Sequence, residues 1–250
     1  MYPVLFVSLG PGDPELITVK GLKALQAADS IFCPETMNKN SATSPVTSRA
    51  AAILHRQEIE AKCIIRFDIP MSRQRDKALS AYDSLYAEIL KQHADGKKIC
   101  VAAEGDAGFY ASIHYVYERL RKKGIPVEHI AGVPAFIAAG ARAGIHLVSR
   151  TETLTVLPGT ATAGEVTRCI EREGVVVIMK LSKCAQNMHE LIRLHPEYDY
   201  HYFENVGTAD DVYLKCPDQI LSRPFPYFSM LIVRRSENTD KEQAINTFSQ

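Results

Sequence analysis

The chain has no excess of either charge: 29 Lys and Arg balance 29 Asp and Glu over 250 residues. That balance excludes a global basic field for nucleic acid or an acidic membrane, so a polyanionic ligand has to be met by a local patch. It also has no apolar run near the roughly 18 residues of a spanning helix, and no basic stretch leading into a long apolar one at its start. We therefore expect a soluble, cytoplasmic chain with no membrane and no nucleic-acid partner. The six cysteines, Cys33, Cys63, Cys100, Cys169, Cys184 and Cys216, never form a C-x-x-C pair. Reduced structural thiols are expected, not a redox or metal pair. The eight histidines are dispersed as well. His189, His195 and His201 recur on no common helical face and read as surface or loop residues, so no metal site is expected.

What the chain does have is an apolar run that empties into breakers: Val4-Leu5-Phe6-Val7-Ser8-Leu9, then Gly10-Pro11-Gly12-Asp13-Pro14-Glu15. A short run rich in β-branched and aromatic residues, bounded by Gly and Pro, predicts a buried strand. Gly10 and Gly12 let the backbone turn tightly and approach a ligand. Asp13 is placed to cap a helix, with Pro14 in its first turn and Glu15 at the positive end of its dipole. The stretch is either a plain βα turn or a ligand site. It is not a dinucleotide fingerprint, because Glu15 stands where the third glycine belongs. Nor is it a Walker loop, because no Gly-Lys-Ser/Thr triplet follows.

Strand and helix patterns alternate along the rest of the chain, which predicts α/β architecture. Ile99–Ala103 leads to the turn Glu104-Gly105-Asp106-Ala107-Gly108, then to a helix with Tyr110, Ile113, Tyr117 and Leu120 on one face. Ala131-Gly132-Val133-Pro134-Ala135-Phe136 is a further breaker, followed by a small-residue helix through Gly144. Strands are expected at Leu154–Leu157, Gly174–Lys180 and Tyr227–Val233, with Tyr202-Phe203 leading to Glu204-Asn205-Val206-Gly207-Thr208. Asn38–Ser48 reads as a mobile loop, and 236–250 as exposed helix or disorder. A chain of 250 residues can bury one large or two ordinary cores. We place the boundary at the Gly132 breaker, giving domains 1–131 and 132–250.

Taken in order, the Gly10–Pro14 turn, Gly105-Asp106-Ala107, Gly132–Phe136, the strand ending Met179-Lys180, and Gly207-Thr208 resemble the tetrapyrrole methylase family over residues 3 to 235. Ile69–Arg73, Ala81-Tyr82-Asp83, Glu104-Gly105-Asp106, Gly132–Gly144 and Pro226–Met230 are similar to the precorrin-2 C-20 methyltransferases of cobalamin synthesis. Methylases of the same fold acting at C-11, at C-17 or on uroporphyrinogen are the neighbouring possibilities. A nucleotide-binding α/β enzyme or carrier is the reading outside the family.

The resemblance implies two α/β domains with an S-adenosylmethionine (SAM) cleft between them. It implies cofactor contacts through main-chain groups around Pro11, Gly105, Asp106, Ala107, Pro134, Ala135, Met179 and Gly207. Asp106 has the alternative of a turn residue, and Met179 that of a core residue. Ala107 stands where the family has proline, so the turn lacks the ring that would stiffen it. The substrate, precorrin-2 or its cobalt complex, brings many carboxylates, for which Arg73 and Arg75 are the first candidates and Arg49 and Arg142 the next. Glu104 and Tyr110 flank the second turn and are the candidates for handling a proton, with a cap as the alternative for Glu104. A homodimer is expected.

Overall fold

A computed structural model describes residues 1–35, 48–60, 63–68 and 75–236. The expected loop from Asn38 up to Thr47, the Ile69–Arg73 segment and the tail beyond Ser236 lie outside them. The chain divides into two compact units, Met1–Ala135 and Phe136–Gln250.

The first unit is built on five strands, β1 (Val4–Ser8), β2 (Ser30–Glu35), β3 (Ile64–Asp68), β4 (Ile99–Ala103) and β5 (Val127–Ile130). They run parallel in the order β3-β2-β4-β1-β5. Parallel strands buried on both faces read as continuous apolar runs, and β1 and β4 do. Alternate residues serve opposite layers. Val4 and Phe6 pack with Leu85 and Ile89 of α3 (Arg75–Ala94) and Val116 and Leu120 of α4 (His114–Lys122). Val7 and Leu9 pack with Leu25 of α1 (Val19–Gln26) and Ile53 and Leu54 of α2 (Arg49–Arg56).

Two local expectations are corrected. Asp13 does accept a bond from the Glu15 N–H at 2.9 Å, but it caps a single 3₁₀ turn, Pro14–Leu16. Ile17 is then extended, and α1 starts afresh with Thr18 as its cap, its Oγ1 accepting from the Gly21 N–H at 3.1 Å. Tyr110 is not on the face of α4: it sits at φ 49° in the turn before the helix, while Ile113 and Leu120 are buried.

The second unit has the sheet order β6-β7-β10-β8-β9, with β6 (Thr153–Leu157) parallel to β7 (Gly174–Met179). β10 (Ser229–Arg235), β8 (Tyr198–Glu204) and β9 (Val212–Leu214) are antiparallel to their neighbours. Val176, Ile178, Tyr200, Tyr202 and Leu231 form one core layer with Val166 and Ile170 of α6 (Ala163–Glu171) and Met188 and Leu191 of α7 (Ala185–Leu194). His201 is a correction to the surface reading: it is 1% exposed in the middle of β8. Its Nδ1 lies 2.8 Å from the Tyr213 hydroxyl and its Nε2 3.2 Å from Asp199. Burial holds its pKa below the ordinary histidine value. Its spacing from His195 has no meaning here because a strand repeats every two residues. Burial likewise pushes the Cys33 and Cys100 thiols up to about 12, away from thiolate chemistry.

Candidate functional site

From β1 the chain crosses to β2 on one side, through α1; from β4 it crosses to β5 on the other, through α4. β1 and β4 are neighbours in the sheet, so the connections leaving their carboxyl ends diverge. Open parallel sheets bind ligands in the crevice that such a divergence opens.

The two turns at that crevice are joined by main chain. The Gly10 N–H donates to the Gly105 carbonyl at 3.1 Å, and the Gly105 N–H to the Gly10 carbonyl at 2.7 Å. Both glycines have positive φ, 80° and 67°, a region closed to most side chains. A Cβ on Gly105 would meet no protein atom within 4 Å, so this backbone faces open space, as a cradle for a ligand requires.

Asp106 binds the turns to a third strand end. Its Oδ2 accepts from the Gly132 N–H at 2.7 Å, and its Oδ1 from the Gly108 N–H at 2.8 Å. The Ser8 hydroxyl, 3.4 Å from Oδ2, itself accepts from the Ala107 N–H at 2.9 Å. A proline could not make that last bond, having no N–H. Ala107 is thus tethered by hydrogen bonding where the ring is missing. Gly132 is required at its position, since a Cβ there would stand 2.4 Å from the Cβ of Ser8.

Glu104, last before the turn, also meets the start of α2. Desolvation pushes its carboxyl up; beside it, Arg49 and the Ala50 N–H at the start of α2 pull the other way, and the net shift is upward. Its carboxylate therefore ties the end of β4 to the amino terminus of α2, where negative charge is favoured. Tyr110 is half exposed, with its ring edge-on to Phe109 at 4.8 Å.

In the second unit one sheet edge gathers the ends of β6, β7 and β8 and the start of β10. Gly159, after β6, lies so close to the end of β7 that a Cβ would sit 2.3 Å from the Lys180 carbonyl oxygen. The Asn205 N–H donates to the Phe228 carbonyl at 2.9 Å, and the following turn contains Gly207 at φ 80°. Glu204, 5% exposed, anchors this turn. Arg223 grips both its oxygens at 2.8 Å, and the Tyr202 hydroxyl donates to Oε1 at 2.6 Å. Desolvation alone would push the Glu204 carboxyl up, but the guanidinium and hydroxyl outweigh it and hold it below the usual range.

Of the eight positions expected to meet the cofactor, Pro11, Gly105, Asp106, Ala107, Pro134 and Ala135 all follow the carboxyl ends of adjacent strands β1, β4 and β5. Met179 and Gly207 share the edge of the other sheet. Arg49 stands by Glu104, and Arg142 pairs with Asp211 at 3.2 Å. Arg73 and the side chain of Arg75 lie outside the described residues. Sequence reasoning missed Ser8, Arg223 and Glu204. Ser8 had a signal, as the one polar residue closing an apolar strand; the Glu204–Arg223 pair is separated in sequence and had none.

A parallel sheet with glycine turns clamped at its switch point is the arrangement in which open α/β sheets bind ligands. The comparisons go further: the model of the tetrapyrrole (corrin/porphyrin) methylases matches residues 3–219, and the chain belongs to this family. It is 29% identical over 235 residues to the precorrin-2 C(20)-methyltransferase of a Sinorhizobium species, covering 91% of this chain and 93% of that one. It is also 29% identical to the cobalamin biosynthesis protein CobIJ of Mycobacterium bovis, over 91% of this chain; there the match spans only 45% of the relative's length. The fold is shared with the uroporphyrin-III C-methyltransferase of Thermus thermophilus complexed with S-adenosylhomocysteine, at TM-score 0.64 and 18% identity over 93% and 97% of the two chains.

Proposed function

We propose that this chain is a SAM-dependent C-methyltransferase that methylates C-20 of precorrin-2 or of its cobalt complex. The observation that carries the reading is the Gly10–Gly105 cradle, held open by the Asp106 clamp in a member of this family. The C-20 position is supported by the Sinorhizobium relative, which matches over nearly its full length.

SAM supplies a methyl on a sulfonium, already electrophilic toward an electron-rich carbon of a reduced tetrapyrrole. What remains for the chain is placement, and well-oriented intramolecular reactions reach effective molarities of about 10⁵–10⁸ M. Main-chain groups of Pro11, Gly105, Asp106, Ala107, Pro134 and Ala135, with Met179 and Gly207, hold the cofactor. The Asp106 carboxylate is engaged with the Gly108 and Gly132 amides, so it serves by fixing the turns. Arg73 and Arg75 take substrate carboxylates, and Arg49 and Arg142 are the next candidates for that role. Glu104, its carboxyl pushed up, and Tyr110 stand at the second turn as the groups able to exchange a proton. We place the enzyme in the cytoplasm as a homodimer.

Calorimetry with S-adenosylhomocysteine, NAD and ATP tests the cofactor directly. Binding of S-adenosylhomocysteine alone supports the reading; binding of NAD or ATP instead would return the Gly10 turn to nucleotide chemistry.

A further inference from the structure

Lys180, where the chain leaves β7, is held at φ 60° and ψ 50°, in the left-handed region. There a Cβ crowds the carbonyl that follows it, and glycine alone enters freely. Strained residues of this kind concentrate at working sites. The main chain around Lys180 is fixed from two sides: its N–H donates to the Ser229 carbonyl at 3.1 Å, and Gly159 abuts its carbonyl. Glycine thus occupies position 159, where contact demands it, while position 180, where glycine would relieve strain, keeps a long cationic side chain.

That side chain is placed. Its Nζ stands over the Tyr227 ring, 5.9 Å from the centroid, on the same edge as Met179 and the Asn205–Thr208 turn. Lys180 is partly buried, and desolvation, then the neighbouring Lys183, hold its ammonium below the ordinary lysine value. A partly desolvated ammonium attracts an anion more strongly than one in bulk water, because the effective dielectric constant falls.

We infer that Lys180 is an anion anchor whose ammonium receives a ligand carboxylate. The inference rests on the methyltransferase reading, in which two ligands carry that group: SAM through its amino-acid end, and the tetrapyrrole through its acid side chains. Lysine is a compact donor suited to a single carboxylate oxygen.

The test uses Lys180→Gly and Lys180→Arg in the full-length chain. Because glycine suits the backbone, K180G should melt no lower than wild type, yet bind the anchored ligand at least tenfold more weakly; K180R should recover most of the loss. If the carboxylate is the cofactor's, K180G weakens S-adenosylhomocysteine but not 5′-methylthioadenosine, which lacks the amino-acid end. If it is the substrate's, K180G leaves S-adenosylhomocysteine unchanged and raises the KM for the tetrapyrrole. Wild-type values for both ligands in K180G would overturn the anchor alone. A K180G that melts below wild type would overturn the strain argument. A wild-type chain that binds neither S-adenosylhomocysteine nor the tetrapyrrole would instead sink the methyltransferase reading, and the anchor with it.

Discussion

Asp106→Asn is the smallest change that tests the clamp at the switch point. The aspartate serves two backbone amides at once, Gly108 through Oδ1 at 2.8 Å and Gly132 through Oδ2 at 2.7 Å. Asparagine keeps one acceptor oxygen and turns an NH₂ toward the other amide, so one of the two donors must lose its partner. Gly108 is exposed, so water can take the lost partner's place there, whereas the Gly132 bond is partly buried and its loss is less readily made good. Losing a hydrogen bond to a charged group costs about 1.5–3 kcal/mol. At about 1.4 kcal/mol per factor of ten, that corresponds to roughly 10- to 140-fold faster exchange at the orphaned amide. Hydrogen exchange followed by NMR at Gly108 and Gly132 reads it residue by residue. S-adenosylhomocysteine affinity should fall in the same variant, because the Gly105 turn loses its tie to β5. Wild-type exchange at both glycines would refute the clamp.

Replacing Gly105 with valine forces a branched side chain into φ 67° and into the open space beside the turn; calorimetry should show loss of S-adenosylhomocysteine binding with circular dichroism unchanged. Glu204 has a lowered folded-state pKa, so its contribution to stability is complete above the unfolded value near about 4.3 and is lost as pH falls through the folded value. Thermal melts of Arg223→Ala from pH 3 to 7 should therefore show a flatter acid slope than wild type, and an identical slope would contradict the pairing. Arg73→Ala and Arg75→Ala should each raise the KM for precorrin-2 and leave S-adenosylhomocysteine affinity alone. Arg142→Ala, by contrast, should cost only about 0–1 kcal/mol of stability in urea titration, since its ion pair with Asp211 has an exposed guanidinium.

What the sequence disclosed is what local chemistry controls. β1 and β4 were legible because each apolar run stops at a glycine turn, and those turns proved to be neighbours in the sheet. The helix starts were not: Asp13, Pro14 and Glu15 satisfy every capping rule, yet the extended Ile17 hands the true cap to Thr18. Contacts distant in sequence left no mark. That Ser8 compensates for the missing proline at Ala107, and that Glu204 finds Arg223, depends on strand order and loop return, which no local pattern encodes. Glu104 shows the same limit, since its partner at the start of α2 comes from the far side of β2 in the chain. His201 was misread because a helical period was applied to a strand.

The central claim is methyl transfer to one carbon of one macrocycle. Incubating the protein with methyl-¹³C-labelled SAM and precorrin-2, with and without cobalt, and locating the label by NMR tests it directly. The account predicts a single enriched methyl at C-20; label at any other carbon of precorrin-2, no transfer to it, or transfer only in a parallel incubation with uroporphyrinogen, would contradict it.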